Sequence, residues 1–349
     1  MQKSLKIWLC LDSRATGGIE TYVMQLAIGL KQAGQQVSVV FIKQYGTHPL
    51  LSVFQQKHIN VIFLDGRFAS LIRRINTNKP DIVHSHGYKA GLLCRLAAKL
   101  TSFILVSTYH AGEIGRGKLA LFDWIDRHTA WLNHQSLAVN INICRRLPTD
   151  CKVMDNFIAI PRSTPKTANQ IAFVGRLSHE KGPDLLITLA SRLPTIDIHI
   201  YGSGPMEIDL KKQCPANCIF HGNQNNMDDH WENIALLIMP SRYEGLPMVA
   251  MESMARQIPV IAFDVGAIDK LVIDNKTGWL IPAGQINRFQ EKLEDWIRMD
   301  DELKHLVRVA ARKHIEDNFS STKIVPQILQ IYSSLMQNKK PICDAICKS

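Results

Sequence analysis

What the sequence lacks narrows it first. No apolar run approaches the roughly 18–20 residues of a membrane-spanning helix, and the run after Lys6 stops at Asp12, too short for the core of a secretory signal. A cytoplasmic chain is expected, with any membrane contact peripheral. None of the eight cysteines forms a Cys-x-x-Cys pair. The Cys214/Cys218 and Cys343/Cys347 spacings find no histidine pair to complete a zinc site, so reduced, structural thiols are expected. There is no Asp-x-Asp triplet, since Asp228-Asp229 and Asp300-Asp301 are adjacent pairs. Aromatic residues make up only 7% of the chain, and no basic stretch is interleaved with them or reads as a helix-turn-helix, which disfavours nucleic acid as a partner.

What is present is length and a steady rhythm. A chain of 349 residues is long enough for two domains. Short β-branched runs alternate with amphipathic helical stretches: Lys6–Leu11, Val37–Ile42, Val61–Leu64, Asp81–His84, Ile104–Ser107 and Leu137–Val139 in the first half, then Ile171–Val174, Ile196–Ile200, Ile219–His221, Leu236–Met239, Val260–Phe263 and Gly278–Ile281. Nearly continuous apolar strands separated by helices mean parallel sheets covered on both faces. The expectation is an α/β chain of two doubly wound, Rossmann-like domains facing a cleft, residues 1–160 and 161–323, joined through the polar, proline-punctuated stretch 161–170. After Pro282 the pattern is helical to about Asn338.

In open parallel sheets ligands bind beyond the carboxyl ends of the strands, and several polar motifs fall there. Gly175-Arg-Leu-Ser-His-Glu-Lys-Gly-Pro183 follows a strand and opens a helix; Arg176 and Lys181 beside free helix-start amides suit a phosphate. Glu244 lies on the loop after a buried strand and Glu252 in the second turn of the next helix, where carboxylates can accept hydrogen bonds from sugar or ribose hydroxyls. Tyr201-Gly-Ser-Gly-Pro205 is another strand-to-loop turn, without the third glycine of a dinucleotide fingerprint. Gly17 and Gly18 open the first helix. His84 and His86 share one face of a strand end, where packing or lining outweighs metal binding, and His110 sits just past the next strand.

In order along the chain, Gly-Gly-x-Glu (17–20), His-x-His-Gly (84–87), Thr-x-His (108–110), Val-Gly-Arg-x4-Lys-Gly (174–182), Gly-x-Gly-Pro (202–205) and Pro-Ser-x-x-Glu-Gly-x-Pro-x4-Glu (240–252) resemble the retaining GT-B glycosyltransferases of family 4, including those that build lipopolysaccharide and other cell-envelope glycans. The resemblance implies transfer of a sugar from a nucleotide-diphosphate sugar to a hydroxyl of an envelope glycan or glycolipid, with neither cofactor nor divalent metal. It implies catalytic roles for Arg176, Lys181, His110 and Glu244, and donor binding by Gly17, Gly18, Gly175, Gly204, Glu244, Gly245, Leu246 and Glu252. It also implies a last helix, about 324–340, crossing back to an amino-terminal acceptor domain, and a carboxyl-terminal donor domain. The alternatives are an epimerase or phosphorylase on the same fold, or a non-catalytic nucleotide-sugar-binding protein. Three positions depart from the family pattern: Gln257 and Asn140 replace a usual Gly and Ser, and the Asp264–Asp269 loop keeps one glycine of two.

Charge divides unevenly. Residues 1–170 hold 21 basic and 9 acidic side chains, residues 171–349 hold 20 and 22. The first half therefore carries the whole excess of the +10 net charge, with Arg67, Arg73, Arg74, Lys89, Arg95, Lys99, Arg116, Lys118, Arg145 and Arg146 among its contributors. An anionic acceptor or membrane surface is expected there, met by Arg116, Lys118 and His86.

Overall fold

The computed structural model of the chain describes residues 4–14, 17–110, 118–161, 168–224 and 226–338. The chain forms two compact units, Met1–Met154 with Ser321–Ser349, and Asp155–Ser320.

In the first unit seven parallel strands alternate with helices: β1 (Lys6–Leu11), α1 (Gly18–Gln32), β2 (Gln36–Phe41), α2 (Leu51–Gln56), β3 (Asn60–Phe63), α3 (Phe68–Asn78), β4 (Ile82–His86), α4 (Tyr88–Ala98), β5 (Ile104–Tyr109), α5 (Lys118–His128), β6 (Gln135–Ala138), α6 (Ile141–Cys144) and β7 (Cys151–Val153). The spatial order is β3-β2-β1-β4-β5-β6-β7. β1, β4 and β5 are buried almost end to end, as the covering of both sheet faces requires. Cys144 and Cys151 pair as a disulfide tying α6 to β7, which corrects the expectation of eight reduced thiols.

The second unit repeats the order: β8 (Gln170–Val174), α7 (Pro183–Arg192), β9 (Ile198–Tyr201), α8 (Glu207–Gln213), β10 (Cys218–Gly222), β11 (Ile234–Met239), α9 (Met248–Met254), β12 (Val260–Asp264), β13 (Gly278–Pro282), α10 (Ile286–Arg298) and α11 (Asp301–Phe319). All six strands are parallel, ordered β10-β9-β8-β11-β12-β13. Each sheet thus reverses direction once, between β1 and β4 or between β8 and β11. A doubly wound sheet opens its ligand crevice at such a reversal.

α12 (Ser321–Asn338) belongs to the first unit. It covers the expected crossing segment as far as Asn338 and packs on α1, where Gly29 admits it: a Cβ there would lie 2.6 Å from Val325 Cγ2. The units part at Met154/Asp155, ahead of the expected joint. Phe157 and Ile158 explain the shift, since both are buried and the Ile158 amide donates to the Phe319 carbonyl at the end of α11.

Candidate active site

At the β8/β11 reversal two loops are bolted together. Residues 179–181 form one turn of 3₁₀ helix, Gly182 turns left-handed (φ 67°), and Pro183 opens α7 with its ring-fixed φ already helical. Gly182 is obligatory, because a Cβ would sit 2.1 Å from the Pro240 carbonyl oxygen. From the β11 loop, the Arg242 guanidinium grips Asp184 in two bonds of 2.8 and 2.5 Å and donates to the His179 carbonyl. That fork holds the Asp184 carboxyl below its ordinary range. The Arg242 amide donates to the Glu180 carbonyl at 2.8 Å.

Those braces bring Lys181 to Glu244: its ammonium donates to both carboxylate oxygens, at 2.8 and 2.7 Å. Glu244 is almost fully covered, its side chain 5% exposed, while Lys181 remains 29% exposed. Arg176 stands exposed on the same loop, and among the described residues no ion pair is made to its guanidinium. Glu252 lies half-buried on α9. Burial pushes its carboxyl up to about 7, against the pull of Arg256, which donates to the Glu252 carbonyl and pairs with Asp228. Two cations and two carboxylates therefore line one strand reversal; the start of α7 adds no row of free amides, since Pro183 has no N–H and the Leu185 and Leu186 amides donate to the Gly182 carbonyl. This set can neutralise a diphosphate and accept hydrogen bonds from a sugar diol.

The first unit arranges its reversal differently. Gly17 caps α1, which has no side-chain cap, so its first amides are open to an anion. His84, on β4, is buried and spends both ring nitrogens on protein, 2.6 Å from the Tyr332 hydroxyl on α12 and 2.6 Å from Thr108 on β5. His86 Nδ1 meets His110 Nε2 at 3.1 Å, and Tyr22 stacks edgewise on His110 with ring centroids 4.8 Å apart. Burial lowers His84 and His110 to about 3 and carries His86 down with them, so the cluster is neutral at pH 7. Nearby, Lys89 donates to Asp12 at 2.9 Å and to the Tyr45 hydroxyl at 3.0 Å, while Arg14 and Lys43 stand 4.4 and 5.3 Å from the Tyr45 ring centre.

Two family descriptions match this chain, Glycosyltransferase Family 4 over residues 16–164 and Glycosyl transferases group 1 over residues 156–314. The chain is a glycosyltransferase with a Family 4 domain followed by a group 1 domain. This glycosyltransferase is 27% identical over 276 residues to the Escherichia coli O-antigen biosynthesis glycosyltransferase WbnH, covering 74% of this chain and 81% of the relative. It is 24% identical over 310 residues to the E. coli UDP-Gal:alpha-D-GlcNAc-diphosphoundecaprenol alpha-1,3-galactosyltransferase, covering 77% and 79%. Its fold matches that of Anabaena Alr3699/HepE in complex with UDP-glucose, with a TM-score of 0.82 at 17% identity over 95% of this chain and all of that one.

Some expected residues of the glycosyltransferase take other duties. Leu246 is a core side chain, 3% exposed, and its carbonyl accepts from Asn156 Nδ2 at 2.6 Å. Gly204 makes room for protein, since its Cβ would meet the Leu177 carbonyl oxygen at 2.4 Å; Gly202 does the same toward Gly175. His86 is 1% exposed, covered by Tyr22 and His110, which removes it from any acceptor or membrane surface. Arg95 is equally buried, paired with Asp126 at 2.7 Å. Gly18 and Gly175 lie at strand-to-helix turns as expected, and Gly245 accepts the Ala267 amide at 3.0 Å. Arg116 and the Lys118 side chain lie outside the described residues.

The three departures become intelligible. Gln257 holds φ 63°, a left-handed turn for which glycine is the natural residue. Asn140 caps α6 by accepting the Ile143 amide at 2.9 Å, a task serine performs equally. Gly266, the glycine that remains in its loop, is the one a Cβ would drive to 1.9 Å from the Glu244 carbonyl oxygen. Missed from the sequence were the Arg242–Asp184 brace and the cations around Tyr45. No local pattern joins residues 58 or 31 positions apart.

Proposed function

We propose that this glycosyltransferase moves a hexose from a nucleoside diphosphate sugar to a hydroxyl of a phosphate-bearing cell-envelope glycan or glycolipid, with retention and without a divalent ion. The observation that carries the reading is the strand reversal of the second unit, with Lys181 on Glu244, Arg176 uncommitted and Glu252 half-buried beside them. In this reading Lys181 exchanges Glu244 for the donor diphosphate, and with Arg176 it stabilises charge on the departing nucleotide. Glu244, freed, accepts from sugar hydroxyls, and Glu252 from the ribose diol. The acceptor oxygen bonds to the anomeric carbon on the face the diphosphate leaves, and the leaving phosphate oxygen takes the acceptor proton.

For the donor, HepE was solved with UDP and with UDP-glucose. For the acceptor, the E. coli relatives are named for O-antigen biosynthesis and for transfer to a diphosphoundecaprenol-linked sugar. Arg14, Lys43 and Lys89 around Tyr45 suit an acceptor carrying phosphate. The test is incubation of purified protein with a panel of nucleoside diphosphate hexoses and envelope lipid extract, with products identified by mass. One hexose added to a lipid, together with nucleotide release that requires that lipid, supports the reading. Nucleotide consumed without any acceptor contradicts it.

A further inference from the structure

Among the described residues fifteen large apolar side chains reach solvent, and eight of them lie between residues 88 and 141, namely Tyr88, Leu96, Leu100, Leu121, Phe122, Trp124, Trp131 and Ile141. Most belong to one layer of the first unit, α4 and α5 with the 3₁₀ turn at 130–132. Along α4 and the turn after it, Tyr88, Leu92, Leu96 and Leu100 recur every fourth residue, which sets them on one helix face. On a globular surface helix that outward face is ordinarily polar.

α5 is turned inside out. Its Asp126 is buried against Arg95, while Leu121, Phe122 and Trp124 face water. Tyr88 stacks on Phe122 with centroids 5.6 Å apart, Trp124 stacks on His128 at 4.2 Å, and Lys99 stands 5.4 Å from the centre of the Trp131 ring. The apolar patch is thus continuous from α4 to α5 and reaches the 3₁₀ turn, which a monomeric soluble surface avoids unless it docks. The segment is basic, with eight Lys or Arg against three Asp or Glu over residues 88–146; among its described cations Lys99 stands beside the Trp131 ring, and Arg145 and Arg146 are exposed after α6.

We propose that the α4–α5 face is a membrane-docking surface that lies on an anionic bilayer, with Trp124, Trp131, Phe122, Leu96 and Leu121 entering the headgroup boundary and Lys99, Arg145 and Arg146 meeting lipid phosphates. The inference rests on the reading that the acceptor is an envelope glycolipid, and it names the surface that brings the enzyme to it. Among the described residues no helix is long and apolar enough to cross a membrane, so these elements lie on the surface. Charge favours lipid over a second copy of the chain, because self-pairing would set one basic segment against another. Tryptophan and tyrosine at a bilayer boundary bury their rings and keep their polar edges wet.

The chain supplies its own probe. Of six tryptophans, Trp8, Trp231, Trp279 and Trp296 are buried, while Trp124 and Trp131 are 52% and 63% exposed, both in this region. Full-length protein is mixed with phosphatidylcholine vesicles with or without phosphatidylglycerol, followed by sedimentation and tryptophan emission. Binding to the anionic vesicles with a blue shift, weakened by salt, is expected. The Leu96→Gln/Leu121→Gln/Trp124→Gln variant should bind at least about tenfold more weakly with an unchanged unfolding midpoint, and Lys99→Glu alone several-fold more weakly. Wild type that ignores anionic vesicles, variants that bind them as well as wild type, or a dimer dispersed by the same substitutions would each overturn the proposal. Nucleotide binding is measured in parallel; if it persists while vesicle binding is absent, the docking surface fails and the catalytic reading stands.

Discussion

The two units share one strand order and fill its reversal with opposite chemistry. In the first unit the strand ends carry buried, neutral histidines knitted to one another and to α12. In the second they carry Lys181 paired with Glu244 and an exposed Arg176, on loops braced by Arg242, Gly182 and Gly266. The same backbone crevice therefore serves either as a scaffold that positions one half-buried ring, His110, or as a charge trap. Topology sets where a ligand can sit, and the loop residues set what kind of ligand it is.

The largest contrast to test is catalytic. Lys181→Ala removes a cation from a site where charge grows as the nucleotide leaves, and kcat should fall about 10²–10³-fold. His110→Ala removes an uncharged ring and should cost less. Steady-state rates of the two variants compare the units directly, and near-normal turnover in Lys181→Ala would break the contrast.

Stability offers the next comparison. Gly182→Ala forces a Cβ against the Pro240 carbonyl at a left-handed φ and should cost about 2–4 kcal/mol by denaturant unfolding. Gly18→Ala, with nothing within 4 Å of its Cβ, should stay within about 0.5 kcal/mol of wild type. Tyr332→Phe leaves His84 Nδ1 buried without its partner, at about 1–3 kcal/mol, and hydrogen exchange should show the loss confined to the first unit.

The pH responses carry opposite signs. His84 and His110 titrate near 3 when folded, against an ordinary 6.5, so between those values the unfolded chain binds protons the folded one refuses. The first unit should lose stability as pH falls below about 6.5. Glu252 titrates near 7 against 4.5; the folded state binds the extra proton there, and the second unit should lose stability as pH rises from 4.5 toward 7. If ribose needs the Glu252 carboxylate, nucleotide affinity should be about tenfold weaker at pH 6 than at pH 8, and Glu252→Gln should flatten that dependence in calorimetry. The smallest effect runs the other way. Gln257→Gly relieves a left-handed glutamine and should stabilise the second unit by about 0.5–1 kcal/mol in the same unfolding assay.

Both sheets were legible because a parallel strand buried on two faces is a short, unbroken apolar word. The strand over Lys6–Leu11 matches its expected bounds, and others stray at their ends, where buried but polar residues such as Ser85, His86, Thr108, Gln135 and Ser136 interrupt the apolar pattern. β7 was not legible, having three residues, none fully buried. Of the site, Arg176, Lys181, Glu244 and Glu252 stood out by their place after strands. Their pairing did not, since a bond such as Lys181–Glu244 spans 63 residues. The resemblance implies donor binding at Gly204, and the structure gives that glycine a packing duty as well, since it and Gly202 admit neighbouring backbone. At α4 and α5 apolar residues ordinarily announce a buried face, yet Leu96, Leu121 and Trp124 are exposed, and sequence alone does not separate the two cases.

The central claim is that the second unit's charge holds the donor. Its most direct test is calorimetric binding of whichever nucleoside diphosphate the donor panel selects, to wild type, to Arg176→Ala and Lys181→Ala, and to Arg14→Ala and Lys43→Ala. The account predicts affinity lost at least about tenfold in the second-unit variants, as expected when a charge-assisted phosphate contact is removed, and kept in the first-unit pair. Affinity lost in the first-unit pair and kept in Arg176→Ala and Lys181→Ala would contradict it.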